Sequence, residues 1–193
     1  VTKYLNGHSD IIGGILVSKK KDLIDRLRFI QMSVGAVPSP FDCWIVQRSL
    51  KTLHVRMERH NYNANEISKV LSQTNKIQSI YYPGLKTHPN HEVAKKQQLN
   101  PDNKSVFGGM ISIDLGSLSK ARKFVKNLKI FTLAESLGGV ESLVCHPATM
   151  THSSIPSEVR NKLGITDGLV RLSVGIEDLN DLVEDLQNSI NKI

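Results

Sequence analysis

Aromatic rings are scarce in this chain. Phe, Trp and Tyr make up 5% of its 193 residues, too few to form stacking platforms for single-stranded nucleic acid. Cysteine is scarcer still: Cys43 and Cys145 lie far apart and form no C-x-x-C. That argues against a disulfide framework and for structural thiols in a reducing, cytoplasmic compartment. Long apolar runs are missing, and "SIYYPGL" and "GGILV" fall far short of a bilayer span. No charged, apolar and cleavable sequence opens the chain, so nothing marks it for secretion.

Several chemistries lack their spacing. The glycine pairs in "GGIL", "FGGM" and "LGGV" make neither a G-x-G-x-x-G nor a G-x-x-x-x-G-K loop, and read as sites of close backbone packing. Ser136 in "AESLGG" lacks the flanking glycine of a nucleophile elbow. His88 and His91 form H-x-x-H, but Pro89 between them argues against a helix presenting both. His54 and His60, six apart, point to different helical faces. No third ligand follows by spacing, and no metal site is expected.

What is present fits a globular protein: 39% hydrophobic residues with charges spread throughout, and a length suited to one large domain or two small ones. The net charge of +7 raises the question of a nucleic-acid partner. Yet the densest basic run, Lys19 to Lys21, is followed at once by Asp22 and Asp25, and elsewhere the two signs are interleaved. A solvated surface is the reading taken, with neither nucleic acid nor membrane as partner.

The pattern is α/β. "IIGGILVS" reads as a buried strand, and Asp22 to Ser33 as a helix with Leu23, Ile24, Leu27 and Ile30 on one face. Ser39 before Pro40, with Asp42 three positions on, resembles a capped helix start. From Pro40 to about Gln73 the pattern is helical, as two helices or one bent one. Beyond it strands alternate with helices. "IQSIYYPG", "FGGMISIDL", "KIFTLAESL" and "LVRLSVG" read as strands. "LSKARKFVKNL" is a helix with Ala121, Phe124, Val125 and Leu128 inward, and Leu179, Leu182, Val183, Leu186 and Ile190 mark a last amphipathic helix.

Two residues stand out. In "LVRLSVGIED" alternation puts Leu169, Arg171 and Ser173 on one face, opposite Val170, Leu172 and Val174. An arginine on so apolar a strand must reach solvent or meet an anion. Exposure on an outer face is the default, although its fork suits a carboxylate held bidentately. Lys3 has a hydroxyl beside it, Thr2, and a glycine turn after it at Gly7; that is a weak hint of an amine held for chemistry.

The segments "TKYLNGHSDIIGG", "LRFIQMSVGAVPSPFD", "RSLKTLHVRMERH", "YYPGLKTHP", "GGMIS", "FTLAESLGGVESL", "PATMTH" and "LVRLSVGIEDLNDL" together resemble the enzymes of Cys and Met metabolism that depend on pyridoxal 5'-phosphate. The likeness runs in order through essentially the whole chain. It implies an aspartate-aminotransferase-like fold, fold type I, of which this chain is the C-terminal half. Residues 1–55 would be the end of the large cofactor-binding domain and 56–193 the small C-terminal α/β domain.

The resemblance also implies roles. Lys3 matches the lysine that binds the cofactor covalently and then acts as base, and Thr2 matches a hydroxyl on the cofactor phosphate. Arg171 matches the residue gripping the substrate α-carboxylate, with Ser136 beside it. Glu135 matches the acid that meets the far amino group of cystathionine. His8, Asp10 and Glu141 belong to the motifs without assigned chemistry and read as turn residues. The implied reaction is a carbon–sulfur lysis: α,γ-elimination on L-cystathionine giving cysteine, 2-oxobutyrate and ammonia, in a homotetrameric parent. A γ-replacement enzyme of the same family is the alternative, and a noncatalytic basic interaction fragment the alternative of another class. The family's phosphate loop, cofactor-stacking ring and pyridine-binding Asp would lie upstream, so this piece alone is expected to be inactive and its surface adhesive.

Overall fold

A helix N-cap shows how closely local chemistry is obeyed. Ser39 Oγ accepts a hydrogen bond from Asp42 N at 3.0 Å, and Pro40 occupies the first turn of the helix that follows. The structure is a computed structural model that describes residues 1–193. It divides into two units, Val1–Leu53 and His54–Ile193.

The first unit holds α1 (Lys21–Val34) and α2 (Pro40–Leu50). Gly35, at φ 71°, ends α1 in the left-handed conformation that glycine adopts without penalty. No residue of α1 is buried. The strand expected at "IIGGILVS" does not form: residues 11–18 belong to no ladder, and Ile12 and Val17 are 94% and 85% exposed. The reason is hydrogen bonding. A strand exists only against a partner, and every strand of this chain lies in the second unit. The helical stretch after Pro40 is two helices, since α3 (Leu53–Leu71) starts afresh after a short turn.

The second unit is built on a five-stranded sheet of order β1-β2-β5-β4-β3. Its strands are β1 (Ser79–Tyr81), β2 (Met110–Asp114), β3 (Thr132–Leu133), β4 (Leu143–Cys145) and β5 (Leu169–Ser173). Pairings are antiparallel except β3 with β4. Helices α3, α5 (Leu118–Asn127) and α7 (Leu179–Asn191) supply the rest of the core. Ile111, Ile113, Val170 and Leu172 from the strands are fully buried with Ile67, Phe124 and Leu182 from the helices. Period two on the strands and 3.6 on the helices put these residues in one interior, as the sequence implies.

Three elements are not anticipated by the pattern. Strand β4 is three buried residues with no alternation to read, while α4 (His91–Gln97) and α6 (Ser157–Lys162) are short. The strand expected through "KIFTLAESL" shrinks to Thr132–Leu133, because the residues after it leave the sheet. His88 and His91 do local work: His88 Nδ1 accepts from Asn90 N, and His91 Nδ1 donates to Pro83 O at 2.8 Å. Buried Asp185 on α7 gathers the chain ahead of β3, accepting from the backbone N–H groups of Lys129, Ile130 and Phe131. No helix is long and apolar enough to cross a membrane.

Candidate active site

In the first unit, Lys3 sits on a tight turn. Gly7 N donates to Lys3 O at 2.7 Å, and Asn6 N donates to Val1 O at 3.0 Å. Gly7 closes the turn at φ 78°, where a side chain would be strained. Three polar residues brace it. Buried Asn6 donates through Nδ2 to Asp10 at 2.6 Å, and His8 Nδ1 donates to Asn6 O at 2.9 Å, 3.4 Å from Ser49 Oγ. His8 and Asp10 thus hold the turn, as their motif membership implied. Thr2 Oγ1 accepts from Gly13 N at 3.0 Å and donates to Gly13 O at 3.3 Å, which pins the following segment to the turn. Lys3 itself is exposed, so a primary amine and a neighbouring hydroxyl stand on a rigid base.

In the second unit the centre is Arg171 on β5. It pairs in register with Ser112 of β2 and Cys145 of β4, and its side chain occupies the face away from Val170 and Leu172. The guanidinium is not simply solvated. Its Nη2 donates to Glu135 O at 2.8 Å and to Ser136 O at 3.0 Å. Its Nε is buried and has no protein acceptor. A buried cationic N–H without an acceptor is costly, and an anion placed there would relieve that cost. Sequence reading took exposure on an outer face as the default for Arg171; the guanidinium is instead partly buried, with Nη2 on two backbone carbonyls.

Residues 135–142 form the other wall. Gly138 N donates to Ser173 Oγ at 2.8 Å, and Ile176 N to Val140 O at 2.9 Å. The Glu177 carboxylate accepts from Ser142 N at 2.6 Å and Ser142 Oγ at 2.8 Å, while Gly175 N donates to Ser142 Oγ at 2.8 Å. A Cβ at Gly175 would strike Glu177 and Val140 O, so the approach requires glycine. A Cβ at Gly139 would lie 2.5 Å from the Glu141 carboxylate, which folds back over it.

Helix α3 backs this assembly. His60 Nδ1 donates to Val174 O at 2.7 Å, and Asn63 Nδ2 donates to Gly175 O and Glu177 O at 3.1 and 3.0 Å. Burial holds the His60 pKa below its usual value, and the Arg56 charge pushes the same way. The bond to Val174 and the carboxylates of Glu177 and Glu141 oppose that shift. Burial also lowers the Arg56 pKa.

Of the residues singled out from sequence, Glu135, Ser136 and Arg171 therefore meet in the second unit, and Thr2 and Lys3 share the turn of the first. Ser173, Ser142, Glu177 and Asn63 were missed. Alternation does place Ser173 on the face of Arg171, but nothing local ties Glu177 to a serine 35 residues earlier.

The chain as a whole has the sequence of a pyridoxal-phosphate-dependent enzyme of amino-acid metabolism. The family described as Cys/Met metabolism PLP-dependent enzyme matches residues 1–191, and the chain belongs to that family. Its cofactor is pyridoxal 5'-phosphate.

Over 193 residues the chain is 51% identical to a cystathionine gamma-lyase of Dictyostelium discoideum, covering 100% of this chain and 48% of that protein. It is equally 51% identical, over 99% of this chain and 49% of the relative, to a cystathionine beta-lyase of Lactococcus lactis subsp. cremoris. A crystal structure of cystathionine gamma synthase from Xanthomonas oryzae pv. oryzae, in complex with cystathionine, superposes with a TM-score of 0.91 at 43% identity. That match covers 99% of this chain and 48% of the other. The fold is accordingly that of fold type I, and the chain spans about half the length of the relatives it matches.

Proposed function

We propose that the two sites serve a carbon–sulfur lyase that splits L-cystathionine, with water, into cysteine, 2-oxobutyrate and ammonia. The buried, unsatisfied Nε of Arg171 carries this reading, because it asks for an anion such as an amino-acid carboxylate. The residues also fit the cofactor: an exposed amine at Lys3 suits condensation with an aldehyde, and the Thr2 hydroxyl could turn its proton from Gly13 O, 3.3 Å away, to a phosphate oxygen. When bound, the cofactor draws electron density from the substrate Cα.

The chain's own residues would divide the rest. Arg171 grips the α-carboxylate, with Ser136 beside it, and so orients Cα. Lys3, whose amine would hold the cofactor, would be the base that takes the Cα proton and, after releasing it, the base for a Cβ proton as sulfur leaves Cγ. The Glu135 carboxylate, exposed on the loop, meets the distal ammonium of cystathionine. γ-Replacement is the second reading, favoured by the likeness to the gamma synthase structure. We further propose a homotetramer in a reducing, cytoplasmic compartment, in keeping with the free thiols of Cys43 and Cys145.

Borohydride reduction of the cofactor-loaded protein followed by peptide mapping tests the tether. The label is expected on Lys3, and a label on another lysine defeats the assignment. Product analysis from L-cystathionine separates the activities: 2-oxobutyrate supports γ-elimination, pyruvate indicates β-elimination, and turnover only with an activated homoserine ester and cysteine indicates γ-replacement.

A further inference from the structure

We propose that Glu177, acting through Ser142, is a positioning residue for the carboxylate grip of Arg171; the proposal rests on the reading of Arg171 given above. Both Nη2 bonds of Arg171 end on backbone carbonyls of one loop, Glu135 O and Ser136 O. The direction in which Nε faces therefore depends on where that loop is held. Gly138 N is fastened to Ser173 Oγ, Ala134 N donates to Val144 O and Val140 O accepts from Ile176 N, so neutral bonds tie the loop at several points.

A charged fastening joins these neutral ones. Glu177 receives the N–H and the O–H of Ser142, one on each carboxylate oxygen, and Ser142 Oγ receives Gly175 N in turn. Charge-assisted bonds of this kind are the strong ones. Asn63 then fixes the carbonyls of Gly175 and Glu177 to α3, so the clamp is anchored in the helix layer. The line from α3 through Glu177 and Ser142 to the 135–136 carbonyls ends on the guanidinium. Asp185 offers a built-in control: it is also a buried carboxylate that gathers backbone N–H groups, but it holds residues 129–131, whereas the hydrogen bonds of Arg171 go to residues 135 and 136.

The test compares Glu177→Ala, Glu177→Gln, Asp185→Asn and Arg171→Leu. In the cofactor-free protein, L-alanine is titrated while the Nε–Hε resonance of Arg171 is followed; in the cofactor-loaded full-length parent, KM and kcat for L-cystathionine are separated. Glu177→Ala is expected to raise the L-alanine Kd and the cystathionine KM about tenfold, a size typical of small misplacements, with a smaller change in kcat. Glu177→Gln, which keeps one acceptor, falls between. Asp185→Asn lowers Tm and leaves the Kd unchanged.

An unchanged Kd in folded Glu177→Ala, with binding lost in Arg171→Leu, overturns the clamp alone. Unchanged binding in Arg171→Leu overturns both the clamp and the carboxylate reading. An Asp185→Asn that raises the Kd as much as Glu177→Ala reduces the effect to general stability and overturns the proposal. If Glu177→Ala does not fold, Glu177→Gln decides by the same comparison.

Discussion

Arg171 concentrates the chemistry of the second unit in one side chain. Its Nη2 is committed to two loop carbonyls and its Nε is buried without an acceptor, so an anion bound as proposed would meet a directional edge rather than charge alone. Lysine keeps the charge and loses the fork. Arg171→Lys is expected to raise KM for an amino-acid substrate by about 10- to 100-fold, the worth of one or two charged hydrogen bonds, with a smaller effect on kcat. Steady-state kinetics on the cofactor-loaded full-length parent checks this; an unchanged KM contradicts it. Sequence made this arginine conspicuous because it interrupts an apolar strand. It could not say whether the guanidinium met water or an anion, since that depends on a loop 35 residues upstream.

Between elements, the coupling of α3 to the end of β5 is the informative one. His60 is fully buried, and its Nδ1–H is spent on Val174 O. Its pKa is lowered on folding, chiefly by burial, so the unfolded chain takes up the proton first as pH falls. The stability contributed by neutral His60 is therefore whole above about pH 6.5 and is lost as pH drops from there toward the folded value. Denaturant midpoints for the parent and His60→Gln should diverge above pH 7 and converge toward pH 5. Parallel curves would show that His60 does not titrate with unfolding. Arg56 reinforces the low pKa, while Glu177 and Glu141 moderate it. The start of α2 was the most legible boundary, because Ser39 caps its own helix through a bond three residues long; the Asp178 cap of α7 was not read from sequence. Strand β4 was opaque because it is too short to show a period.

At the scale of the molecule the two units differ in how they hold themselves. The second has a continuous core of strands and three helices. The first buries little, and large apolar side chains such as Phe29, Met32, Phe41 and Trp44 are exposed on it. Amide hydrogen exchange should therefore be slowest in β2, β5 and α7 and fast throughout α1, by several orders of magnitude. Equal protection in α1 and β5 would refute the contrast. A dye that reports apolar surface should also bind this chain, and substituting Trp44 and Phe41 by Gln should reduce the signal.

The sequence by itself determined the α/β class, the helical and strand periods, the helix caps and the family, because each is written in neighbouring residues or in motifs kept in order. It also marked Lys3 and Arg171, whose residue type is unusual for their surroundings. Only the tertiary structure decided that "IIGGILVS" has no ladder here, that Arg171 Nε lacks an acceptor, and that Glu177 ties down the loop before it. Those outcomes depend on which backbone groups find partners across the chain, and hydrogen bonds between distant residues leave no periodic trace in the string of letters.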